Sequence, residues 1–222
     1  MSEKIIKKFI TTAARQEVSG SPGFYEAVNN PELKYEVNNS YPVLPMINAY
    51  VEEGDAVELI IVRMVPEDEK GKATAKENFD AIEVLVTELC MQKKAFFLGV
   101  KDFEVPDDEQ IDTHLNIFER LIGMITGNDR VFVDVTYGTK TQMLALVLAI
   151  NYVYQAVPGA KVECVVYGNY NFQSKQKKIY DITALFLMNQ IVNRLSVVRH
   201  SDPIQAIRNI IGYGQEIPED EV

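Results

Sequence analysis

The chain has 222 residues, 47% of them apolar, a formal net charge of −10 and two cysteines. That length suits one large domain or one domain with an appendage, and the apolar share is ample for a core. The acidic balance argues against a protein that grips duplex nucleic acid along its backbone, which takes a basic face. It leaves room for a small anionic ligand, because salt screens distant charge beyond ~8 Å. Cys90 and Cys164 lie far apart, without metal or redox spacing, and His114 and His200 are the only histidines. Neither a metal site nor a bound cofactor is therefore expected. No apolar run approaches the ~20 residues needed to span a bilayer, and MSEKIIKKFI lacks a signal-peptide core. A reducing cytoplasm is the expected location.

Lys4–Ala14 is the first strand candidate, with Ile5, Ile6, Phe9 and Ile10 as its apolar core. It ends in Thr11-Thr12-Ala13, which in a doubly wound sheet lies near the switch point where ligands bind. Threonine is equally an ordinary strand residue. Arg15–Ser40 is polar and turn-rich, long for a connection between elements, as functional loops often are. Its Tyr25 and Tyr35, with Tyr41 just beyond, are placed either to stack on bases or to pin the loop. Pro42–Val51 reads as a short helix, with Pro45 in its first turn. Ala56–Val65 is a second buried strand. Arg63 near its end either meets phosphate or pairs with the acidic Glu67-Asp68-Glu69.

Ala73–Lys93 reads as an amphipathic helix with Phe79, Ile82, Leu85, Val86 and Leu89 on one stripe. Ala95–Val100 is a third strand, followed by Lys101-Asp102. Pro106-Asp107-Asp108 opens the next helix with acids where its dipole favours them. Ile111, Leu115, Phe118, Leu121 and Ile122 form that helix's expected buried face, and Gly127-Asn128-Asp129 turns the chain.

The organising stretch is RVFVDVTYGTKTQMLALVLAINYVY, residues 130–154. Arg130–Val135 is a short β-branched run suited to a strand buried on both faces. Thr136-Tyr137-Gly138-Thr139-Lys140-Thr141 breaks it. Gln142–Tyr154 is a helix, apolar nearly all round, and must be covered on more than one side. Thr139 is a plausible N-cap. The first unpaired N–H groups, the helix dipole, Lys140 and the close approach allowed by Gly138 together make an anion site. Spacing alone fits a capped turn with a solvated lysine at least as well. No glycine directly precedes Lys140, so this is not a Walker A loop.

Lys161–Tyr167 is the fifth strand, with Gly168-Asn169-Tyr170-Asn171 at its carboxyl end. Phe172–Lys178 reads as a hairpin-like loop and Ile179–Leu185 as an edge strand. The fold expected is therefore α/β: a Rossmann-like open sheet, mostly parallel, with helices on both faces and an antiparallel edge hairpin. A short helical tail follows. Its Arg194–His200 spacing resembles the R-x4–6-H motif of HEPN ribonucleases. Such a domain needs about a hundred residues of helix, so coincidence is expected. The acidic end, residues 215–222, is linker-like in composition and reads either as a natural end or as the point before a missing effector domain.

Asp134-Val135-Thr136-Tyr137-Gly138 resembles the D-hydrophobic-T-H-G signature of CARF domains, the CRISPR-associated Rossmann-fold sensors, with Tyr137 where the histidine usually stands. Gly138-Thr139-Lys140 before a methionine helix resembles the G-T-K variant of other CARF branches. The resemblance implies a CARF-like domain over residues 1–185, with 186–222 as helical tail and acidic terminus. It also implies a homodimer that binds cyclic tetra- or hexa-adenylate, the messenger of type III CRISPR immunity. The expected ligand set is Thr11, Thr12 and Ala13, then Thr136 to Thr141 through Tyr137, Gly138, Thr139 and Lys140, then Gly168 and Asn169. An alternative is a metal-independent ring nuclease using 2′-OH attack, with Lys140, Thr12 and Tyr137 as candidate catalytic groups. A third class, a dinucleotide-dependent oxidoreductase, lacks its G-x-G-x-x-G after the first strand.

Overall fold

A computed structural model describes residues 5–18, 23–171, 173–198, 202 and 204–205. The chain divides into two compact units, Met1–Asp181 and Ile182–Val222. The first holds a seven-stranded sheet. Strand β1 (Ile6–Ala13) lies in its interior, β2 (Tyr25–Ala27) at one edge, and helix α1 (Val43–Tyr50) precedes β3 (Ala56–Val65). Helix α2 (Glu69–Gln92), strand β4 (Phe96–Pro106), helix α3 (Ile111–Met124), β5 (Arg130–Asp134), helix α4 (Lys140–Ala156), β6 (Lys161–Asn171) and β7 (Gln176–Asp181) follow. The strand order is β2-β7-β6-β5-β1-β3-β4. Every pairing is parallel except the β6–β7 hairpin. This is the mostly parallel Rossmann-like sheet that the sequence implies, with the antiparallel β6–β7 pair lying beside the edge strand β2.

Strand periodicity divides the core into two layers, since alternate residues face opposite sides. Phe9, Ala13, Val57, Leu59, Ile61, Phe132 and Cys164 pack with Met46, Ile47, Ile82, Val86 and Cys90 of α1 and α2. Phe9 and Phe132 stack there at 4.6 Å. The intervening residues, Ile10, Ile60, Val131 and Val133, are as fully buried. They lie on the side covered by α3 and α4, whose own buried residues are Ile117, Leu121, Leu146 and Ile150.

Several boundaries differ from the sequence reading for local reasons. Helix α2 begins at Glu69 because Asp68 caps it, accepting from the Gly71 amide at 2.8 Å. Arg63 pairs with Asp102 at 3.1 Å and Glu104 at 2.6 Å, not with residues 67–69, because the β3–β4 register sets it opposite Glu104. Strand β4 runs on through Lys101 and Asp102 to Pro106. It carries a bulge that shifts its register against β3, with Gly99 at φ +110°, a device that blunts an exposed sheet edge. Helix α3 starts at Ile111, so Pro106-Asp107-Asp108 precedes it. Its buried stripe is Thr113, Ile117 and Leu121, which leaves Ile111 and Leu115 exposed.

The long segment after β1 contains two elements not read from the sequence, β2 and a 3-10 turn at Pro31–Leu33 capped by Asn30. Residues read as an edge strand over 179–185 divide instead between β7 and a helix, α5 (Thr183–Val198). The Arg194 side chain, His200, Phe172 and the acidic end over 215–222 lie outside the described residues. Among the described residues no helix is long and apolar enough to cross a membrane.

Beneath the α3/α4 layer sits a buried charge network. Lys8 of β1 is 3% exposed. Its ammonium reaches Asp129 at 2.9 Å, Glu58 at 3.3 Å and the Met124 carbonyl at 2.5 Å. The half-exposed Lys101 completes the set by pairing with the other Glu58 oxygen at 2.9 Å. Removing one partner of a buried pair leaves the other charge uncompensated, at a cost of ~3–5 kcal/mol. Lys8→Ala is therefore expected to lower unfolding free energy by that amount in urea denaturation. A loss below about 1 kcal/mol would contradict this account of the network.

Candidate functional site

The sheet order reverses between β1 and β5, so their carboxyl ends bound the crevice of an open α/β sheet. One side chain joins the two ends. Asp134, the last residue of β5, is wholly buried, and its carboxylate accepts from the Thr11 hydroxyl at 2.9 Å and the Thr136 amide at 2.9 Å. Thr136 in turn accepts from the Gly168 amide at 2.7 Å, which ties the turn to β6. A Cβ on Gly168 would lie 2.5 Å from Pro42 and 3.0 Å from the Tyr25 ring, so only glycine lets β6 pass this close. Burial pushes the Asp134 carboxyl up to about 6, against the opposing pull of its bonds to Thr136 and Thr11.

The turn itself is then set. Gly138 takes φ +115°, and a Cβ there would lie 2.6 Å from the Met143 methyl. Thr139 is the N-cap of α4 in a complete capping box, with its hydroxyl bonded to the Gln142 amide and the Gln142 side chain returning to the Thr139 amide at 3.1 Å. Lys140, the first helical residue, is exposed and makes no hydrogen bond or ion pair among the described residues. Thr141 donates its hydroxyl to Glu109.

Tyr137 points the other way. Its hydroxyl donates to the Ser40 carbonyl at 2.6 Å, and Tyr25 donates to the same oxygen at 3.2 Å. Desolvation raises both phenols, Tyr25 to about 12, so both stay neutral donors. The Ser40 hydroxyl donates to the Val18 carbonyl at 2.7 Å. Lys177 of β7, only 4% exposed, donates to the Asn39 carbonyl at 2.7 Å, and burial lowers its affinity for a proton. Ser40 thus fastens the long loop after β1 to the turn after β5 and to the β6–β7 hairpin.

Two clefts flank this turn and share Gln16, Thr136 and Tyr137. One, of about 280 Å³, is lined by Tyr25, Ser40, Tyr167, Gly168, Asn169 and Lys177 among others. The other, of about 360 Å³, is lined by Arg15, Asp68, Gly71, Asp107 and Gly138 among others. Each is near the lower end of ligand-pocket size, ~300–1,000 Å³.

Of the residues singled out from sequence, the structure gathers all at one sheet edge but gives them different access. Thr136, Tyr137, Gly138, Gly168 and Asn169 line the clefts, and Lys140 and Thr141 are exposed at the start of α4. Thr11, Thr12 and Ala13 are buried, each at most 1% exposed. Thr11 braces Asp134. The Thr12 hydroxyl and the Gln142 amide nitrogen find no partner among the described residues. Both line a void beneath Gly138 that is too small for a water molecule. Orphaned buried polar atoms are rare, and each calls for an explanation. Of the loop tyrosines, Tyr25 and Tyr41 are buried pins, the latter bonding Asn78 at 3.1 Å. Arg15, Gln16, Tyr167, Tyr170 and Lys177 also line the clefts and carry no motif that marks them in sequence.

Among the described residues no group of three or more histidine, cysteine or acidic side chains is arranged to hold a metal ion. No protein-family model matches the chain, and no curated protein matches it in sequence.

The Asp134 carboxyl gives a pH test. Its folded value is raised above the ~3.9 of an unfolded aspartate, so the native state holds the proton more tightly. Stability therefore falls as pH rises from about 4 to about 6, and the penalty persists above that range. At roughly 1.36 kcal/mol per unit, two units amount to about 3 kcal/mol. Asp134→Asn cannot ionise. Its stability relative to the parent is expected to climb by up to that amount between pH 4 and pH 7 in urea melts. Parallel profiles for the two proteins would contradict an unpaired buried carboxylate.

Proposed function

We propose that this chain is a CARF-like sensor that binds cyclic oligoadenylate, a tetra- or hexa-adenylate ring, on the two-fold axis of a cytoplasmic homodimer in type III CRISPR antiviral signalling. The observation that carries this reading is Lys140. It is an exposed cation, without a partner among the described residues, on the capped N-terminus of α4 at the switch point of the sheet, two residues after Gly138, which lines the larger cleft. Amide donors, helix dipole and ammonium together suit a phosphodiester. Aromatic and amide side chains in the first cleft, Tyr167, Tyr170 and Asn169, suit a nucleobase.

The dimer is supported by an apolar stripe that no described element covers. Ile111 and Leu115 of α3 and Leu144, Leu148 and Tyr152 of α4 are 48–70% exposed. The two helices pack side by side, with Phe118 edge-on to Tyr152 at 5.7 Å. The stripe begins next to the site, since Leu144 lies one turn after Lys140. One chain offers clefts fit only for part of a ring, and a two-fold axis lets each copy hold an equal share. The same observations favour binding over ring opening. The Tyr137 hydroxyl is committed to Ser40 and the Thr12 hydroxyl is buried, which leaves Lys140 as the accessible candidate for chemistry.

Cyclic tetra- and hexa-adenylate should raise the melting temperature of the chain, since a ligand at ~100 times its dissociation constant adds about 2.7 kcal/mol. Lys140→Ala should weaken binding at least tenfold, the loss of a charge-assisted bond of roughly 1.5–3 kcal/mol, without lowering the ligand-free melting temperature. Unchanged affinity would return Lys140 to a solvated lysine. If cleavage of labelled ring fell much more than affinity, the nuclease reading would replace the sensor.

For the assembly, Leu148→Glu is expected to convert a dimer to a monomer in sedimentation at micromolar concentration, because it buries an unpaired charge in the apolar stripe. A parent chain that already sediments as a monomer would contradict the dimer.

A further inference from the structure

The loop between β4 and α3 carries Asp107-Asp108-Glu109, and its three acids do different things. Asp108 serves its own helix. Its carboxylate accepts from the Gln110 amide at 3.0 Å, and that bond holds it below the usual carboxylate range. Asp107 reaches away from α3 to the switch point, and Glu109 reaches it too while the same carboxylate oxygen lies 3.5 Å from His114 of α3. Both Asp107 oxygens meet one Arg15 nitrogen, at 2.5 and 2.6 Å. Arg15 stands just beyond the end of β1, and both residues line the larger cleft with Gly138. The Glu109 carboxylate accepts the Thr141 hydroxyl in the first turn of α4, and its affinity for a proton is lowered first by that bond and further by Thr139. Two carboxylates, two residues apart, therefore occupy the two places at this edge that attract negative charge: a guanidinium and a helix N-terminus with its hydroxyls.

We propose that Asp107 and Glu109 act as a built-in surrogate anion, and that phosphate groups of the ligand displace them to reach Arg15 and the start of α4. This rests on the phosphodiester reading of the site and adds Arg15 to it as a binding residue. The pairs suit displacement. The Arg15 side chain is 43% exposed, its partner Asp107 19% and Glu109 57%, and an ion pair open to solvent on its cationic side adds little to stability. A guanidinium can take a phosphate in the same two-oxygen manner as a carboxylate. The loop also excludes weak anions, because a ligand must outcompete two tethered carboxylates at once. One that spans both places, as linked phosphates do, gains most from the exchange.

The test compares the full-length parent with Asp107→Asn/Glu109→Gln, with Arg15→Ala, and with the triple variant. Cyclic tetra- and hexa-adenylate are titrated calorimetrically, and inorganic phosphate is scored separately by the melting-temperature shift it produces. The double variant should bind the ring several-fold more tightly than the parent, by up to about tenfold. Phosphate should stabilise it at lower concentration. Arg15→Ala should weaken both ligands, and the triple variant should show no gain over Arg15→Ala. Equal or weaker ring binding by the double variant, beside clear binding by the parent, would overturn the surrogate while leaving the sensor reading standing. Absence of ring binding in every protein would overturn the sensor reading, and the phosphate series would then decide the surrogate alone. A larger phosphate shift in the double variant, lost in the triple, supports it, and identical shifts in all four proteins refute it.

Discussion

The site depends on a buried carboxylate that has no cation beside it among the described residues. Asp134 closes β5, and its bonds to Thr11 and Thr136 hold the ends of β1 and β5 together at the point where the strand order reverses. Thr136 passes the constraint on to β6 through the Gly168 amide. A neutral side chain could make some of these bonds. A carboxylate has acceptor oxygens for both sides at once, and the cost of its burial appears as the upward shift of its proton affinity. The rigidity this gives the turn fixes the direction of Lys140 and of the first amides of α4.

Around that fixed turn the structure is fastened, not merely packed. The Ser40 carbonyl takes hydrogen bonds from Tyr25 and Tyr137, and Lys177 holds the neighbouring Asn39 carbonyl. A long loop thereby becomes one wall of a cleft. Tyr137 belongs to this fastening. In the D-V-T-Y-G stretch the acid and the threonine brace the strand ends, the tyrosine anchors the loop and the glycine admits the helix. Every residue type in the motif but the valine answers to a contact made by its own side chain or, for glycine, by its absence.

The fold was legible because strands buried on both faces read as short apolar runs, and Ala56–Val65 has the same bounds in sequence and structure. The turn after β5 was legible for a similar reason, since an N-cap threonine, a glycine and a lysine fall within four residues. What escaped the sequence was set by distant partners. Strand β2 has three residues and exists by pairing with β7, some 150 positions on. Asp107 was read with Asp108 as a helix-start acid and Glu109 drew no reading, and only the packing of α3 beside α4 shows that Asp107 and Glu109 reach Arg15 and Thr141. The apolar positions of α3 were read as one buried face, yet the helix buries a Thr113-Ile117-Leu121 stripe and leaves Ile111 and Leu115 outward. Periodicity identifies an apolar stripe but not what covers it. Lys177 lay in a polar stretch with nothing local to mark it as a buried cation.

The central claim is that one symmetric ring is shared by two copies of this chain, each presenting the same turn. Calorimetric titration of the full chain with cyclic tetra-adenylate and, separately, with cyclic hexa-adenylate tests it through stoichiometry, set against linear tetra-adenylate as control. The expected result is one ring bound per two chains for at least one of the two rings, with the linear form binding far more weakly. One ring per chain, or equal affinity for ring and linear forms, would contradict it.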